Sequence, residues 1–213
     1  MRDSVRAAFL DFSKPLEGCM SCVYLDTHNP PLVTTGVGNM LPNLAAMLDL
    51  PWRLRTTGAA ATQADIVNEW NRVTAATSHS HDSSDYWIRT AALHLLPNDI
   101  ATLVASKAEE FAEGLSAYPQ FNRFEQWPAD AQLGILSMGW AMGDADFMEF
   151  PHFRAACAVQ DWKTAAAECA MDATHNPGLV PRNKANHQLF LNAAIVKEKG
   201  LDPSKLYYPY IPD

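Results

Sequence analysis

The feature that most constrains the fold of this chain is a change of hydrophobic period along it. Residues 22–40 combine short apolar runs with a turn-rich cluster and Gly36-Val37-Gly38, which predicts a β-hairpin with a long turn. A helical period over residues 4–16 precedes the hairpin, and helical periods follow it from residue 63 almost to the end of the chain. A small sheet beside a mainly helical body indicates the α+β class.

The helical part begins at a recognisable cap. Thr62 can cap a helix that starts near Gln63, and Asp65 stands where a capping box has its acid. The predicted apolar face of this helix consists of Ile66, Trp70 and Val73. A polar loop is predicted over residues 76–86, and further helices are predicted over residues 87–96, 97–115, 131–142, 151–159, 161–172 and 183–198.

The length of the chain suits one domain with two lobes. The 213 residues are enough for one large domain or for two small lobes that share a cleft. We predict a single domain over residues 1–213, with a hairpin-containing lobe at about 17–62 and a helical lobe formed by 1–16 and 63–213. The hairpin would lie at the rim of the cleft, which is a usual place for a ligand site.

Charge and hydropathy argue against several classes of function. The net charge of −8 is unlike that of a general nucleic-acid or anionic-membrane binder. The chain has no apolar stretch of about 18 residues that could span a membrane. Its first residues lack the apolar core and the cleavage site of a secretory signal. The cationic residues that could make a cleft locally basic are Arg53, Arg55, Arg182 and Lys184.

The cysteines and histidines predict neither a metal site nor a cofactor. Cys19-Met20-Ser21-Cys22 has the spacing of half a zinc site, but no second such pair follows. Together with Cys157 and Cys169, these cysteines are interpreted as free or buried thiols. The segment His79-Ser80-His81-Asp82 is interpreted as an ordinary polar loop.

The residues that could carry chemistry are concentrated between positions 16 and 39. Glu17 ends the first predicted helix, and Asp26 begins the hairpin nine residues later. Thr34 follows on the returning strand. Glycoside hydrolysis needs one carboxyl group that stays protonated, which burial can arrange, and another that stays ionised. A helix end followed by a hairpin can place two such acids on opposite walls of one cleft.

Three segments resemble the N-terminal signature of phage lysozymes, glycoside hydrolase family 24. They are Leu16-Glu17-Gly18, Tyr24-Leu25-Asp26-Thr27 and Val33-Thr34-Thr35-Gly36-Val37-Gly38. The family carries Glu, eight residues, Asp or Cys, and then a short gap to Thr; the first spacing matches here. The second gap is longer, so that Asn29-Pro30-Pro31 looks like an insertion. Counting back from the glycines favours Thr34, with Thr35 as the runner-up, and Asn39 stands where the family often has His.

Later segments resemble the same family. The stretch from Trp127 to Gly143 is similar to its central buried helix, and residues 153–156 and 161–166 are similar to the two helices after it. Gly178-Leu179-Val180-Pro181-Arg182 resembles the segment from which an arginine pairs with the catalytic Glu, which implies that role for Arg182. The resemblance covers most of the chain except residues 42–60, the loop near 76–86 and the C-terminal tail.

The resemblance implies a muramidase that cleaves the β-1,4 bond between N-acetylmuramic acid and N-acetylglucosamine in bacterial peptidoglycan. Glu17 would be the general acid, and Asp26 would stabilise the developing positive charge or activate water that Thr34 holds. Thr35, Asn39 and Arg182 would bind substrate or support the site. The implied inverting outcome needs carboxyl groups roughly 6.5–9.5 Å apart. The alternatives are a non-catalytic peptidoglycan-binding or interaction domain and a lytic transglycosylase, which forms an anhydro product without water.

Two biological settings fit this resemblance. One is a phage endolysin released by a holin, and the other is a toxin domain injected into rival bacteria, as in type VI secretion effectors or pesticin-like bacteriocins. Two segments, the Pro15-Leu16-Glu17-Gly18 start and the Leu32-Val33-Thr34-Thr35-Gly36 strand, are more similar to the effector domains. In that setting the chain would belong to a longer protein, and a cognate immunity protein would plug the cleft. We expect a monomer that is made in the cytoplasm and delivered to the periplasm or cell wall.

Overall fold

The computed structural model describes residues 1–142 and 145–213 and confirms the α+β class. The helices are α1 (Asp3–Glu17), α2 (Leu44–Leu48), α3 (Gln63–Ala75), α4 (Ser84–Thr90), α5 (Pro97–Leu115), α6 (Ala129–Met142), α7 (Pro151–Val159), α8 (Trp162–Glu168) and α9 (Leu179–Lys199). The strands are β1 (Met20–Leu25), β2 (Val33–Gly36), β3 (Asn39–Met40), β4 (Arg53–Leu54) and β5 (Leu93–His94). In the described part of the chain, no helix is long and apolar enough to cross a membrane.

The chain forms two compact units. The first unit consists of Met1–Leu16 and Lys107–Asp213, and the second consists of Glu17–Ser106. The second unit extends beyond residue 62, at which the sequence pattern ends the hairpin lobe. The reason is that α3, α4 and β5 all pack against β1, so the helical segment after the hairpin belongs to the same unit.

The second unit contains the predicted hairpin. Strands β1, β2 and β3 form an antiparallel sheet in that order, with Tyr24 opposite Thr34 and Leu25 opposite Val33. Between β2 and β3 the chain turns at Gly36 and Gly38, whose φ angles of 63° and 74° favour glycine. A tight turn therefore joins β2 to β3, and the long turn joins β1 to β2.

The cap at the start of α3 is confirmed. The hydroxyl of Thr62 accepts a hydrogen bond from the Asp65 backbone N–H at 3.2 Å, and the Asp65 carboxylate accepts one from the Thr62 N–H at 2.8 Å. This reciprocal pair satisfies two N–H groups at the helix start that would otherwise lack a partner.

The buried face of α3 differs from the predicted one. Ile66 and Val73 are buried as predicted, but Trp70 is partly exposed, and Glu69 is buried in its place with 2% exposure. The Glu69 carboxylate accepts two hydrogen bonds of 2.8 Å from the guanidinium of Arg72 and a third from the backbone N–H of Ala92. A buried carboxylate is tolerated when it is paired and hydrogen-bonded in this way, which residue hydropathy alone does not reveal.

The helix predicted over residues 87–96 is wrong in its boundaries. Helix α4 begins at Ser84, inside the predicted loop, and ends at Thr90. Leu93 and His94 then form β5, which pairs antiparallel with β4, so that Leu54 faces Leu93. Strand partners this far apart along the chain leave no trace in the local hydrophobic period, which is why the strand is missed.

The first unit is built around α6. Every residue from Ala129 to Gly139 is buried, as the small residues of this helix suggest. Helix α9 packs along α6, α8 packs on α9, and α7 packs on α8. Gly134 lies close to the ring of Phe190, and Gly139 lies close to the ring of Phe111. A Cβ at either glycine would require the neighbouring ring to shift.

The other helices of this unit follow the sequence pattern with shifted ends. Helix α7 has the predicted bounds, whereas α8 ends at Glu168, short of the predicted residue 172. Helix α9 begins at Leu179, before the predicted residue 183. Gly143, the last residue of the segment that resembles a central buried helix, lies outside the described residues.

Candidate active site

A cavity of about 480 Å³ in the second unit is bordered by both predicted catalytic residues, and we call it the Glu17–Asp26 cavity. Glu17 is the last residue of α1, and Asp26 follows the last residue of β1 directly. Between them Gly18 has a φ of 75°, which lets the chain leave the helix and enter the strand. The end of α1 and the end of β1 therefore border the same cavity.

The carboxylate of Asp26 is held at both oxygens. Its Oδ1 accepts hydrogen bonds from the backbone N–H groups of His28 at 3.1 Å and Leu32 at 2.8 Å. Its Oδ2 lies 2.9 Å from Nδ1 of His28 and 3.4 Å from the hydroxyl of Thr34. The side chain is 19% exposed. The orientation of this carboxylate is thus set by its own turn and by the neighbouring strand.

Thr34 and Thr35 have different surroundings, as expected for successive residues of a strand. The Thr34 hydroxyl lies beside Asp26 and also 3.3 Å from the Leu32 carbonyl. Thr35 is fully buried, and its hydroxyl donates to the carbonyl of Cys22 at 3.0 Å. Only Thr34 is therefore placed to act together with Asp26.

Asn39 and Arg182, the other predicted supporting residues, have structural contacts of their own. The Asn39 side chain accepts a hydrogen bond from the Val37 N–H at 3.1 Å and braces the turn between β2 and β3. Arg182 belongs to the first unit, where it is buried and donates to the carbonyl and the hydroxyl of Ser137 at 2.8 and 3.2 Å. The role of Arg182 toward Glu17 stays a prediction.

Glu17 is exposed to solvent. The burial that we expect of an acid that must stay protonated is therefore absent from the free protein.

Tyr24 is a residue of the cavity that the sequence reasoning missed. It belongs to β1 and lines the cavity. Burial raises the pKa of its phenol to about 12, with a further contribution from the negative charges of Asp26 and Glu17. The phenol therefore keeps its proton at neutral pH and can donate a hydrogen bond to a ligand. The signal was available, since Tyr24 precedes Asp26 by two residues and a strand repeats its faces with that period.

A second part of the lining comes from the predicted polar loop over residues 76–86 and from the start of the helix predicted after it. The contributing residues, which we call the 80–88 lining, are Ser80, Asp82, Ser84, Trp87 and Ile88. Asp82 lies 2.7 Å from Nδ1 of His79, whose ring stacks on Tyr86 with 4.2 Å between the centroids. These contacts order the segment, and no local sequence signal predicts that it reaches the residues of the hairpin.

The Glu17–Asp26 cavity is acidic. Three acidic residues line it, namely Glu17, Asp26 and Asp82, and no lysine or arginine among the described residues lines it. Arg53 borders a different cavity, and the guanidinium of Arg55 donates to the carbonyl of Ile88. A neutral, hydroxyl-rich ligand suits this lining better than an anion, because anions would be repelled.

Comparisons with known proteins assign this chain to no family. No family model matches it, and no curated protein matches its sequence. Within the described residues, no group of three or more His, Cys, Asp or Glu side chains could hold a metal ion, and all four cysteines are free.

Proposed function

We propose that this protein is a peptidoglycan hydrolase, a muramidase that cleaves the β-1,4 bond between N-acetylmuramic acid and N-acetylglucosamine. The observation that carries the proposal is that Glu17 and Asp26 border one cavity while the Thr34 hydroxyl lies 3.4 Å from the Asp26 carboxylate. Glycoside hydrolysis requires two carboxyl groups in different surroundings. Here Glu17 is exposed, whereas Asp26 is held by several hydrogen-bond donors.

The reaction divides between the two acids. Glu17 gives its proton to the glycosidic oxygen as the bond to the anomeric carbon breaks and the electron pair stays with that oxygen. Water held by Asp26 and Thr34 attacks the anomeric carbon from the opposite face, and its proton passes to Asp26. The product inverts at the anomeric carbon. Asp26 then releases its proton to solvent and Glu17 takes one up from solvent, so that both carboxyl groups return to their starting forms.

The surroundings of the acids support a sugar as the ligand. Tyr24 offers a protonated phenol, and the 80–88 lining offers two serine hydroxyls and the carboxylate of Asp82. These groups can exchange hydrogen bonds with sugar hydroxyl and amide groups. A bound sugar would also displace water from Glu17, and loss of water favours the protonated form of a carboxyl group.

The proposal includes what the sequence resemblance implies beyond the cavity. We propose a lysozyme-like fold with a small hairpin-containing lobe, a larger helical lobe and a cleft, in which Arg182 supports Glu17. We also propose delivery to the periplasm or cell wall through a holin or a secretion system. In the second case a cognate immunity protein would be the partner that blocks the site.

Digestion of purified peptidoglycan tests this function. The native protein, Glu17→Gln and the control Glu110→Gln are compared, since Glu110 is an exposed glutamate of α5. We expect fragments with reducing muramic acid ends from the native protein and the control, and less than about a tenth of that activity from Glu17→Gln, because a general acid contributes at least about a hundredfold.

Mass spectrometry of the fragments separates the alternatives. Anhydro ends would show that the reaction is a lytic transglycosylation and not a hydrolysis. If the native protein releases no fragments, the chain is a peptidoglycan-binding or interaction domain and not an enzyme. If Glu17→Gln retains about a tenth or more of the native activity, Glu17 is not the acid.

A further inference from the structure

We infer that His28 is a positioning residue that holds the carboxylate of Asp26 in the orientation needed to accept a proton from water. The inference rests on the proposed function, because it assigns a role to a contact with a proposed catalytic residue. It starts from one distance, the 2.9 Å between Nδ1 of His28 and Oδ2 of Asp26.

The two oxygens of Asp26 are held by different kinds of group. Oδ1 accepts from two backbone N–H groups, which are present whatever side chains the turn carries. Oδ2 has only side-chain partners among the described residues, namely the imidazole of His28 and the hydroxyl of Thr34. A change of side chain therefore alters the surroundings of Oδ2 without removing the contacts to Oδ1.

His28 is the stronger of the two partners of Oδ2. The Thr34 hydroxyl lies 3.4 Å away and has a single proton, for which the Leu32 carbonyl at 3.3 Å competes. Nδ1 of the imidazole lies 2.9 Å from Oδ2, which is closer than the 3.4 Å of the Thr34 hydroxyl. Its N–H can donate to Oδ2 alone. When His28 donates, the Thr34 hydroxyl is free to hold the attacking water.

This contact implies one tautomer of His28. When a neutral imidazole donates from Nδ1, that nitrogen carries the proton and Nε2 carries the lone pair. If Nδ1 accepted the hydrogen bond instead, the proton would be on Nε2. The His28 side chain is 71% exposed. Because a contact made by an exposed polar side chain contributes little to stability, removal of His28 should change the chemistry of Asp26 more than the folding of the chain.

The turn that joins β1 to β2 therefore orients the carboxylate of Asp26. His28 lies in this turn, beside the Asn29-Pro30-Pro31 segment that lengthens the gap between Asp26 and Thr34. The backbone of the turn holds Oδ1, and a side chain of the same turn holds Oδ2. A single local segment thus orients the proposed base from both sides.

Steady-state kinetics on soluble peptidoglycan glycan fragments test the inference. The variants are His28→Ala, His28→Asn, whose amide nitrogen can occupy the place of Nδ1, and His81→Ala. His81 is the matched control, an exposed histidine of the same unit without a hydrogen bond or ion pair among the described residues. We expect His28→Ala to lower kcat about tenfold at unchanged KM, because a misplaced catalytic group costs that much or more. His28→Asn should recover most of this loss, and His81→Ala should match the native protein.

Two kinetic results would overturn the inference. One is a kcat of His28→Ala within about twofold of the native value, and the other is a His28→Asn variant no better than His28→Ala. If the native protein itself releases no fragments, the proposed function fails and this inference fails with it. If the native protein is active and His28→Ala is unimpaired, only the role of His28 is lost.

Long-range ¹H–¹⁵N NMR gives a readout that does not depend on activity. In the native protein we expect His28 in the Nδ1–H tautomer. In Asp26→Asn the side-chain oxygen must still accept the two backbone N–H groups, so the amide NH₂ takes the place of Oδ2 and donates. His28 should then switch to the Nε2–H tautomer. An Nε2–H tautomer in the native protein would show that His28 does not donate to Asp26 and would reject the inference.

Discussion

Asp26 and Leu32 exchange two hydrogen bonds across the turn that joins β1 to β2. The backbone N–H of Asp26 donates to the Leu32 carbonyl at 2.9 Å, and the backbone N–H of Leu32 donates to the Asp26 carboxylate at 2.8 Å. The proposed catalytic base is therefore also the side chain that closes its own turn. Substitutions of Asp26 can separate these two roles, because one role needs only an oxygen atom and the other needs a negative charge.

Asp26→Asn should abolish activity while the fold remains. The amide oxygen can still accept from Leu32 and His28, but the amide cannot take a proton from water, and loss of a general base costs about a hundredfold or more. Asp26→Ala should lose the same activity and in addition about 1–2 kcal/mol of stability, because the turn loses its acceptor. Fragment release and urea denaturation measure the two effects. Equal stability of the two variants would contradict the turn-closing role.

Thr34→Val and Thr35→Val should have opposite effects. Thr34→Val removes the hydroxyl beside Asp26, and we expect a loss of more than about tenfold in kcat with little change in stability. Thr35→Val removes a buried hydrogen bond to Cys22, and we expect nearly full activity with a loss of about 1–2 kcal/mol in the free energy of unfolding. The pair is matched in residue type and strand. The reverse pattern would make Thr35 the functional threonine.

The pKa of Tyr24 should report the charges of both acids. It is raised from 10 to about 12 mainly by burial and then by Asp26 and Glu17, so it should fall in Asp26→Asn and in Glu17→Gln while staying above 10. Because the pKa is higher in the folded protein, the stabilisation is complete below pH 10 and is lost as the pH rises through about 12. NMR titration of tyrosine labelled at ¹³Cζ measures the pKa. A pKa that neither substitution changes would place the acids away from Tyr24.

Alanine at two helical glycines should act in opposite directions. At Gly139 a new Cβ would run into the ring of Phe111, and we expect Gly139→Ala to destabilise the protein by about 1–3 kcal/mol. Gly114 is an exposed glycine of α5 with nothing within 4 Å of the new Cβ, so Gly114→Ala should stabilise the protein by about 0.5–1 kcal/mol. Urea denaturation of both variants measures these changes. A neutral Gly139→Ala would show that the Phe111 ring can move aside.

The local sequence determined the elements that depend on neighbouring residues. The helical period of α5, the capping box at Thr62 and the small residues of α6 all act within a few positions, and the structure contains each of them. The segment from Glu17 to Asp26 is similarly short, because it contains only a helix end, one glycine and one strand. Their common cavity could for that reason be expected from the sequence.

Tertiary structure alone decided what joins residues far apart in the chain. The pairing of β4 with β5, the burial of Glu69 beside Ala92, and the arrival of the 80–88 lining beside the hairpin all depend on distant partners. It also left Glu17 exposed where the chemistry suggests burial. Local patterns record which face of a helix or strand is apolar. They do not record which distant group will neutralise a buried charge, pair with a short strand or complete the wall of a cavity, because those outcomes depend on the free energy of the whole packed chain.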